Sequence, residues 1–272
     1  MALGLETPGM GRARGLQTPP SWRALGYWAY AYKRTWRGSL ATSFLFPILY
    51  LAAMGIGLGS LVDKHTHTID HVSYLYFIAP GLLASTAMQI GTNEATYPVM
   101  GAIKWIRTYF AMLATPLSVT DVLLGTLSWI GVRLAIVSGI YLSVIAAFGV
   151  VQSPLALLAF PAAVITGLAF TAPVAAFSAT CQNDQWFSAI YRFGVIPLFL
   201  FSGTFFPVSQ LPAWLRPVAY ATPLYHGVTL CRELVLGQVD WPLLPVHVGY
   251  LVALIVGGYL VARVTFRRRL IT

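Results

Sequence analysis

The chain alternates long apolar stretches with short polar or basic connections. Six stretches reach the about 20 residues that an α-helix needs to cross ~30 Å of hydrocarbon. They run roughly 39–61, 72–93, 119–148, 155–180, 188–206 and 243–264. The first contains Pro47 and closes on Gly55, Gly57 and Gly59; the last leads into the basic run Arg267, Arg268 and Arg269. Lipid offers the backbone no hydrogen bonds, so a spanning segment of this length must satisfy its own, as a helix does.

Ahead of the first span, residues 21–37 (SWRALGYWAYAYKRTWR) are too charged to cross. At 100° per residue, Trp22, Leu25, Ala29, Tyr32 and Trp36 share one face. Arg23, Arg34 and Arg37 gather opposite, with Tyr30 among them. Aromatics that sink to the headgroup boundary and arginines that meet anionic lipid make this an interfacial helix. An amphipathic core helix carries the same pattern, and the spans that follow at once favour the interface. Between the fifth and sixth spans, the Pro- and aromatic-rich stretch 207–242 interrupts the spanning pattern.

Composition agrees. The 272 residues are 57% hydrophobic and 9% charged, against about 25% charged in soluble domains. That excludes a soluble globule. The formal charge of +9 would also suit nucleic acid, but the basic residues flank the apolar runs, which is the membrane pattern. With the N-terminus placed inside, thirteen basic residues fall in inside regions: Arg12, Arg14, Arg23, Lys33, Arg34, Arg37, Lys104, Arg107, Arg192, Arg263 and Arg267 to Arg269. Three fall outside, Lys64, Arg216 and Arg232, and Arg133 lies within the third span. The positive-inside rule therefore places both termini in the cytoplasm. Residues 1–20 are Gly/Pro/Arg-rich, lack the apolar core of a signal peptide and read as a disordered cytoplasmic tail. Cys181 and Cys231 fall in different connections and offer no disulfide framework.

The inside connection 94–118 carries the most chemistry. Pro98 is suited to start a helix and Pro116 to break one. Between them the spacing predicts a short helix with apolar Ile103, Ile106 and Phe110 beside Lys104 and Arg107. Such a bounded, half-polar helix suits a groove on a soluble partner; a second interfacial helix with no partner fits equally well. Glu94 stands where the second span leaves the membrane, either functional or simply solvated. Arg133 lies about twelve residues inside the third span, with no acidic residue at its predicted depth. It is expected to face a cavity or subunit interface, against the alternative of snorkelling.

Other motifs exclude chemistries. Asp63, His65, His67, Asp70 and His71 lie in one outer loop, where a solvated loop is a better reading than a zinc site. No Gly-x4-Gly-Lys-Ser/Thr occurs, so the chain binds no ATP through a phosphate loop. It has no His-Glu-x-x-His and no Gly-x-Ser-x-Gly, so protease and esterase readings lack their parts.

The region 197–237, PLFLFSGTFFPVSQLPAWLRPVAYATPLYHGVTLCRELVLG, resembles the signature of ABC-2 type exporter permeases. It is closest to the lipo-oligosaccharide (nodulation-factor) exporters, with daunorubicin exporters nearby. The matching residues are Ser202, Gly203, Phe205, Phe206, Pro207, Leu211, Pro212, Pro223, Leu224, His226, Arg232 and Gly237, and Glu94 through Thr115-Pro116-Leu117-Ser118 also fits. The resemblance implies an all-α membrane protein whose ABC-2 transmembrane domain covers 21–272. It would have six transmembrane helices, the N-terminal interfacial helix, a cytoplasmic coupling helix around 98–114 and short re-entrant helices between spans five and six. It implies two permease copies, as a homodimer, over two copies of an ABC ATPase that holds the ATP and Mg. The chain itself would be non-catalytic, hold no cofactor and contact no nucleic acid. Its setting would be the bacterial inner membrane and its lipid. The CQNDQW loop (181–186) would be a second, smaller ATPase contact. The cargo would be a lipid-linked saccharide or a hydrophobic drug, moved along a path that could be lined by Phe44, Phe46, Tyr50, Arg133, Phe199, Phe201, Phe205 and Phe206. A secondary transporter or channel is the competing class. It calls for paired titratable groups at mid-depth.

Overall fold

The computed structural model describes residues 20–34, 36–58 and 73–271, with the backbone alone at 39–44, 46, 55, 56 and 58. The tail before Pro20 and the loop holding Gly59, Asp63, His65, His67, Asp70 and His71 lie outside the described residues. Every regular element among the described residues is helical.

Helix α1 spans Pro20–Tyr32. Helix α2 spans Trp36–Tyr50 and continues in wider, π-type turns over Leu51–Leu58. Helix α3 is Tyr74–Ala95. Helix α4, Tyr97–Met100, runs on into π-type turns over Gly101–Trp105, and α5 is Thr108–Leu113. The long helices α6 and α7 are Val119–Ala147 and Ala156–Thr180. Helix α8, Gln185–Phe201, has π-type turns at its centre over Ile190–Val195. Helices α9, α10 and α11 are Arg216–Tyr220, Pro223–Leu236 and Leu244–Ile271. By length and composition α6, α7 and α11 can cross a membrane, and α8 is a shorter apolar helix.

Local chemistry sets these limits. Ser118 and Asp121 form a reciprocal capping box that starts α6: the Ser118 amide donates to Asp121 Oδ2 (2.9 Å), and the Asp121 amide to Ser118 Oγ (3.2 Å). Gly237, at φ +75°, stops α10 in the left-handed conformation that glycine adopts freely.

Helix α7 is the hub, packed against α3, α6, α10 and α11. Its buried positions are almost all small: Ala159, Ala163, Thr166, Gly167, Ala172, Ala175 and Ala179 among them. Between helices in lipid there is no hydrophobic driving force, so close packing of small residues replaces it. Thr166 and Thr171 turn their hydroxyls back to the carbonyls of Ala162 and Gly167, both at 2.8 Å. Helix α3 comes close to α7 backbone, where a Cβ on Gly91 would lie 2.5 Å from the Gly167 carbonyl oxygen. Backbone cannot yield as a side-chain tip can. Gly91→Ala is therefore expected to cost about 1–3 kcal/mol, read as a lower thermal midpoint of the purified protein in detergent. Gly257→Ala, with nothing within 4 Å of the new Cβ, should not lower it.

Helix α3 is the buried rod of the bundle: Phe77, Ile78, Leu82, Leu83, Ala87 and Met88 are all sequestered. Its two ends define the two regions of functional interest.

Candidate functional site

At the C-terminal end of α3, Glu94 Oε1 lies 3.0 Å from Arg133 Nη2, with the two side chains 20% and 18% exposed. The Arg133 guanidinium also sits 4.6 Å over the Tyr32 ring, and Tyr32 packs edge-on against Trp129 at 5.4 Å. One cation thus ties α1, α3 and α6. This corrects the expectation that no acid shares the depth of Arg133. The first turns of α6 lie beside α1, where Gly125 abuts Ala24 and Ser21, and Arg133 comes level with the end of α3.

The interfacial face of α1 is also corrected. Ala24 is buried, with Leu25, Trp28 and Tyr32 half-buried on the same side, so this stripe packs on protein. Trp28 meets Tyr109 edge-on at 6.4 Å. Trp22 and Trp36, placed on one face with Tyr32 by periodicity, stay exposed instead, as do Arg23 and Arg34. Arg34 lies 6.0 Å over Tyr30 and Arg37 5.6 Å over Trp36.

The segment 98–114 is not one helix. It breaks at Ile106 and at Arg107, which adopts φ 57°, a left-handed backbone that costs a non-glycine residue ~1–2 kcal/mol. Ile103, in the wide turns ahead of the break, points inward, where it is 5% exposed in a cluster with Val99, Tyr109 and Val122. Ile103 therefore fills this chain's own core, not a partner's groove. Ile106 is 75% exposed and Phe110 41%, with exposed Trp105 beside them in sequence. Lys104 Nζ donates to the Gln182 carbonyl at 2.7 Å, joining this segment to the CQNDQW loop, whose Trp186 is 60% exposed. A groove of about 570 Å³ opens next to Ile106, between Arg23 and Tyr27 of α1 and Thr108, Met112 and Leu117. The result is a corner with several large apolar side chains exposed around it.

The other end of α3 holds the proline-rich segment. Arg232 Nε donates to the Phe77 carbonyl (3.1 Å) and Nη2 to the Gly203 carbonyl (2.7 Å), with the guanidinium 3.8 Å over the Phe77 ring. Gly203 is at φ +83°, where glycine avoids the penalty of a Cβ. Ser85 and Thr204 hydroxyls meet at 2.8 Å, and Ser202 and Thr222 hydroxyls at 3.0 Å. Gly203 and Arg232 of the signature, with Thr204, therefore form a clamp that fastens this segment to α3, while Ser202 ties it to Thr222 ahead of α10. Glu94 lies thirteen residues along α3 from Gly81, against which Thr204 packs, or about 20 Å at 1.5 Å per residue.

The path aromatics do not converge as a set. Phe199 and Phe205 meet edge-on at 4.8 Å and pack inward with Tyr50, whereas Phe206 joins Val208, Leu211 and Ala219. Phe201 faces outward, and the side chains of Phe44 and Phe46 lie outside the described residues. Arg133 belongs to the opposite end, with Glu94.

One pair escaped sequence reasoning. His226 and His247 bring their Nδ1 atoms to 2.6 Å, with Tyr250 stacked on His226 at 4.2 Å. The histidines are twenty-one positions apart on consecutive helices, α10 and α11, so no local spacing announces them.

The whole-chain comparisons agree with one another. A family profile described as "ABC-2 type transporter" matches residues 26–236. Nodulation protein J of Rhizobium leguminosarum bv. viciae is 35% identical over 243 residues, covering 88% of this chain and 91% of that protein. Nodulation protein J of Rhizobium meliloti (strain 1021) is 31% identical, covering 92% and 94%. The Inner membrane transport permease YadH of Escherichia coli (strain K12) is 25% identical, covering 88% and 93%.

Proposed function

Because this chain belongs to the ABC-2 type transporter family, we propose that it is the membrane half of an ATP-driven exporter that moves a lipid-linked saccharide or a hydrophobic drug outward. It works as a homodimer of six-span subunits over two ATPase subunits that hold the ATP and Mg. Both termini face the cytoplasm, and the setting is the bacterial inner membrane, in keeping with the relative named an inner membrane transport permease. The stretch 207–230 dips in from outside as re-entrant helices. Its prolines break any continuous span, and irregular backbone is tolerated at membrane depth where protein shields it.

The observation that carries the reading is the exposed corner around Ile106, Phe110 and Trp186, with the Glu94–Arg133 pair at the end of the buried rod α3. The chain has no phosphate loop, so energy enters from a partner. A partner that grips the corner pushes on α3 through Glu94, and α3 carries the clamp at its far end. Packed cores are bistable more than continuously deformable, so a small shift at one end propagates as a discrete rearrangement. Phe199, Phe205 and Tyr50 lie along that rearranging region and offer faces to an amphipathic cargo.

The His226–His247 pair favours the competing class, a secondary transporter, since coupled imidazoles relay protons. Purification in lipid decides between them. The exporter reading expects an ATPase to co-purify in stoichiometric amount and its hydrolysis to rise when membrane glycolipid extract is added. Export sustained by a proton gradient with no ATPase present would support the competing class.

A further inference from the structure

Beside the clamp, a pocket of about 270 Å³ opens between the 203–209 segment and α10. Its walls are Ser209, Tyr220, Tyr225, Thr229 and Glu233, with Gly203 and Arg232 at its side. The Tyr225 and Thr229 side chains, one turn apart, are hydrogen-bonded to each other. Tyr220 meets Tyr225 edge-on at 5.0 Å, so two rings border the space. The Glu233 carboxylate is half-buried and accepts the Asp240 amide at 3.3 Å.

This lining selects by exclusion. Glu233 and Arg232 border the pocket together, so their opposite charges offset and neither an anion nor a cation gains over a neutral ligand. An acyl chain would desolvate four hydroxyl-bearing side chains and a carboxylate without pairing them. The apolar pocket between α7 and α11, walled by Pro173, Phe177, Leu254 and Val261, is the contrasting case and suits such a chain. What remains is a neutral ligand that both donates and accepts hydrogen bonds and carries an apolar face for the tyrosine rings. Hydroxyls of Ser209, Thr229 and the tyrosines do both, and the carboxylate accepts only. A saccharide ring has that chemistry.

The pocket is also preorganised, which lowers the ordering cost of binding. The Thr222 hydroxyl caps α10 by accepting the Tyr225 amide at 3.3 Å, and the same hydroxyl meets Ser202 at 3.0 Å. Arg232 holds the Gly203 carbonyl at 2.7 Å.

We propose that this pocket is a binding site for a neutral saccharide at the end of the bundle remote from α1. Under the exporter reading, on which its role rests, it receives the sugar portion of the cargo on the outer side while the lipid portion stays among the helices.

The test uses the whole protein in lipid nanodiscs with three neutral probes: cellotriose, maltotriose and triacetylchitotriose, which differ in linkage and N-acetylation. Saturation-transfer NMR should detect at least one. Glu233→Gln, and independently Tyr220→Ala at the exposed rim, should each cut that transfer by at least about fivefold, the loss of a charge-assisted hydrogen bond or of ring contact. The thermal midpoint serves as the check on folding for each variant. No transfer from any probe, or equal transfer in the two folded variants, overturns the site. The ATPase co-purification is independent: its success with saccharide binding absent sinks only this site. Its failure with binding present sinks the exporter reading and leaves the site standing.

Discussion

Replacing Ile106 and Phe110 together with aspartate abolishes recovery of the ATPase with the purified protein, while insertion and the thermal midpoint stay close to wild type. Both halves of that expectation come from exposure. Ile106 is 75% and Phe110 41% exposed, so the chain's own core loses little when they change. Against a partner the same positions would be desolvated, and each unpaired carboxylate there costs several kcal/mol. Two such charges lower affinity by at least about a thousandfold. Lys104→Glu is expected to weaken the contact less, by about tenfold, because a rim charge stays hydrated. It also loses the bond to the Gln182 carbonyl, so part of its effect should track the 181–186 loop. Ile103→Asp is the instructive contrast. At 5% exposure it should unfold the segment outright. Stoichiometric ATPase on the Ile106/Phe110 variant would show that the corner is not the docking surface.

Removing either partner of the Glu94–Arg133 pair uncouples the machine, and removing both restores stability without restoring transport. Each side chain is about one-fifth exposed, so Arg133→Leu leaves a shielded carboxylate and Glu94→Leu a shielded guanidinium. A buried pair broken from one side loses about 3–5 kcal/mol, whereas apolar replacement of both partners is often neutral. The single variants should therefore melt well below wild type, and the double variant should recover most of the difference. Coupling follows a different rule. The pair joins α3 to α6, and the Arg133 guanidinium also rests on Tyr32 of α1, so no apolar pair reproduces the link. In all three variants the ATPase should still co-purify, and its hydrolysis should no longer rise with cargo. A double variant as unstable as the two singles combined, or one with full stimulation, contradicts this role.

The long helices were legible because their signals are local. The Ser118 and Asp121 cap, the apolar run behind it and the turn at Gly149 after it confine α6 to Val119–Ala147, within a residue of the expected 119–148. Helix α7, Ala156–Thr180, is as close to its expected 155–180. The Glu94–Arg133 pair was not legible, because depth was counted from the membrane edge of each span. Residues 119–130 of α6 pack beside α1 and α5, which brings Arg133 level with Glu94. The coupling segment misled for a related reason. A uniform 100° per residue puts Ile103, Ile106 and Phe110 on one face, but the wide turns over Gly101–Trp105 and the left-handed Arg107 break that phase. Periodicity misjudged α1 as well. It finds an apolar stripe but not the neighbour that covers it; α6 covers the stripe at Ala24 and Tyr32 and α5 at Trp28, leaving Trp22 outside. Within the signature, the prolines announced interruption, but only the fold reveals that Arg232 grips two carbonyls 2.7 and 3.1 Å away.

Under the exporter reading, cargo moves outward only when an ATPase drives this chain from the corner. Proteoliposomes test it directly, with the chain and its ATPase reconstituted together, a fluorescent glycolipid in both leaflets and a membrane-impermeant quencher on the far side from the ATPase. The expected result is ATP-dependent enrichment of the glycolipid in the quencher-accessible leaflet, none without ATP, and none for the chain alone under a proton gradient. Equal enrichment by the chain alone would contradict it.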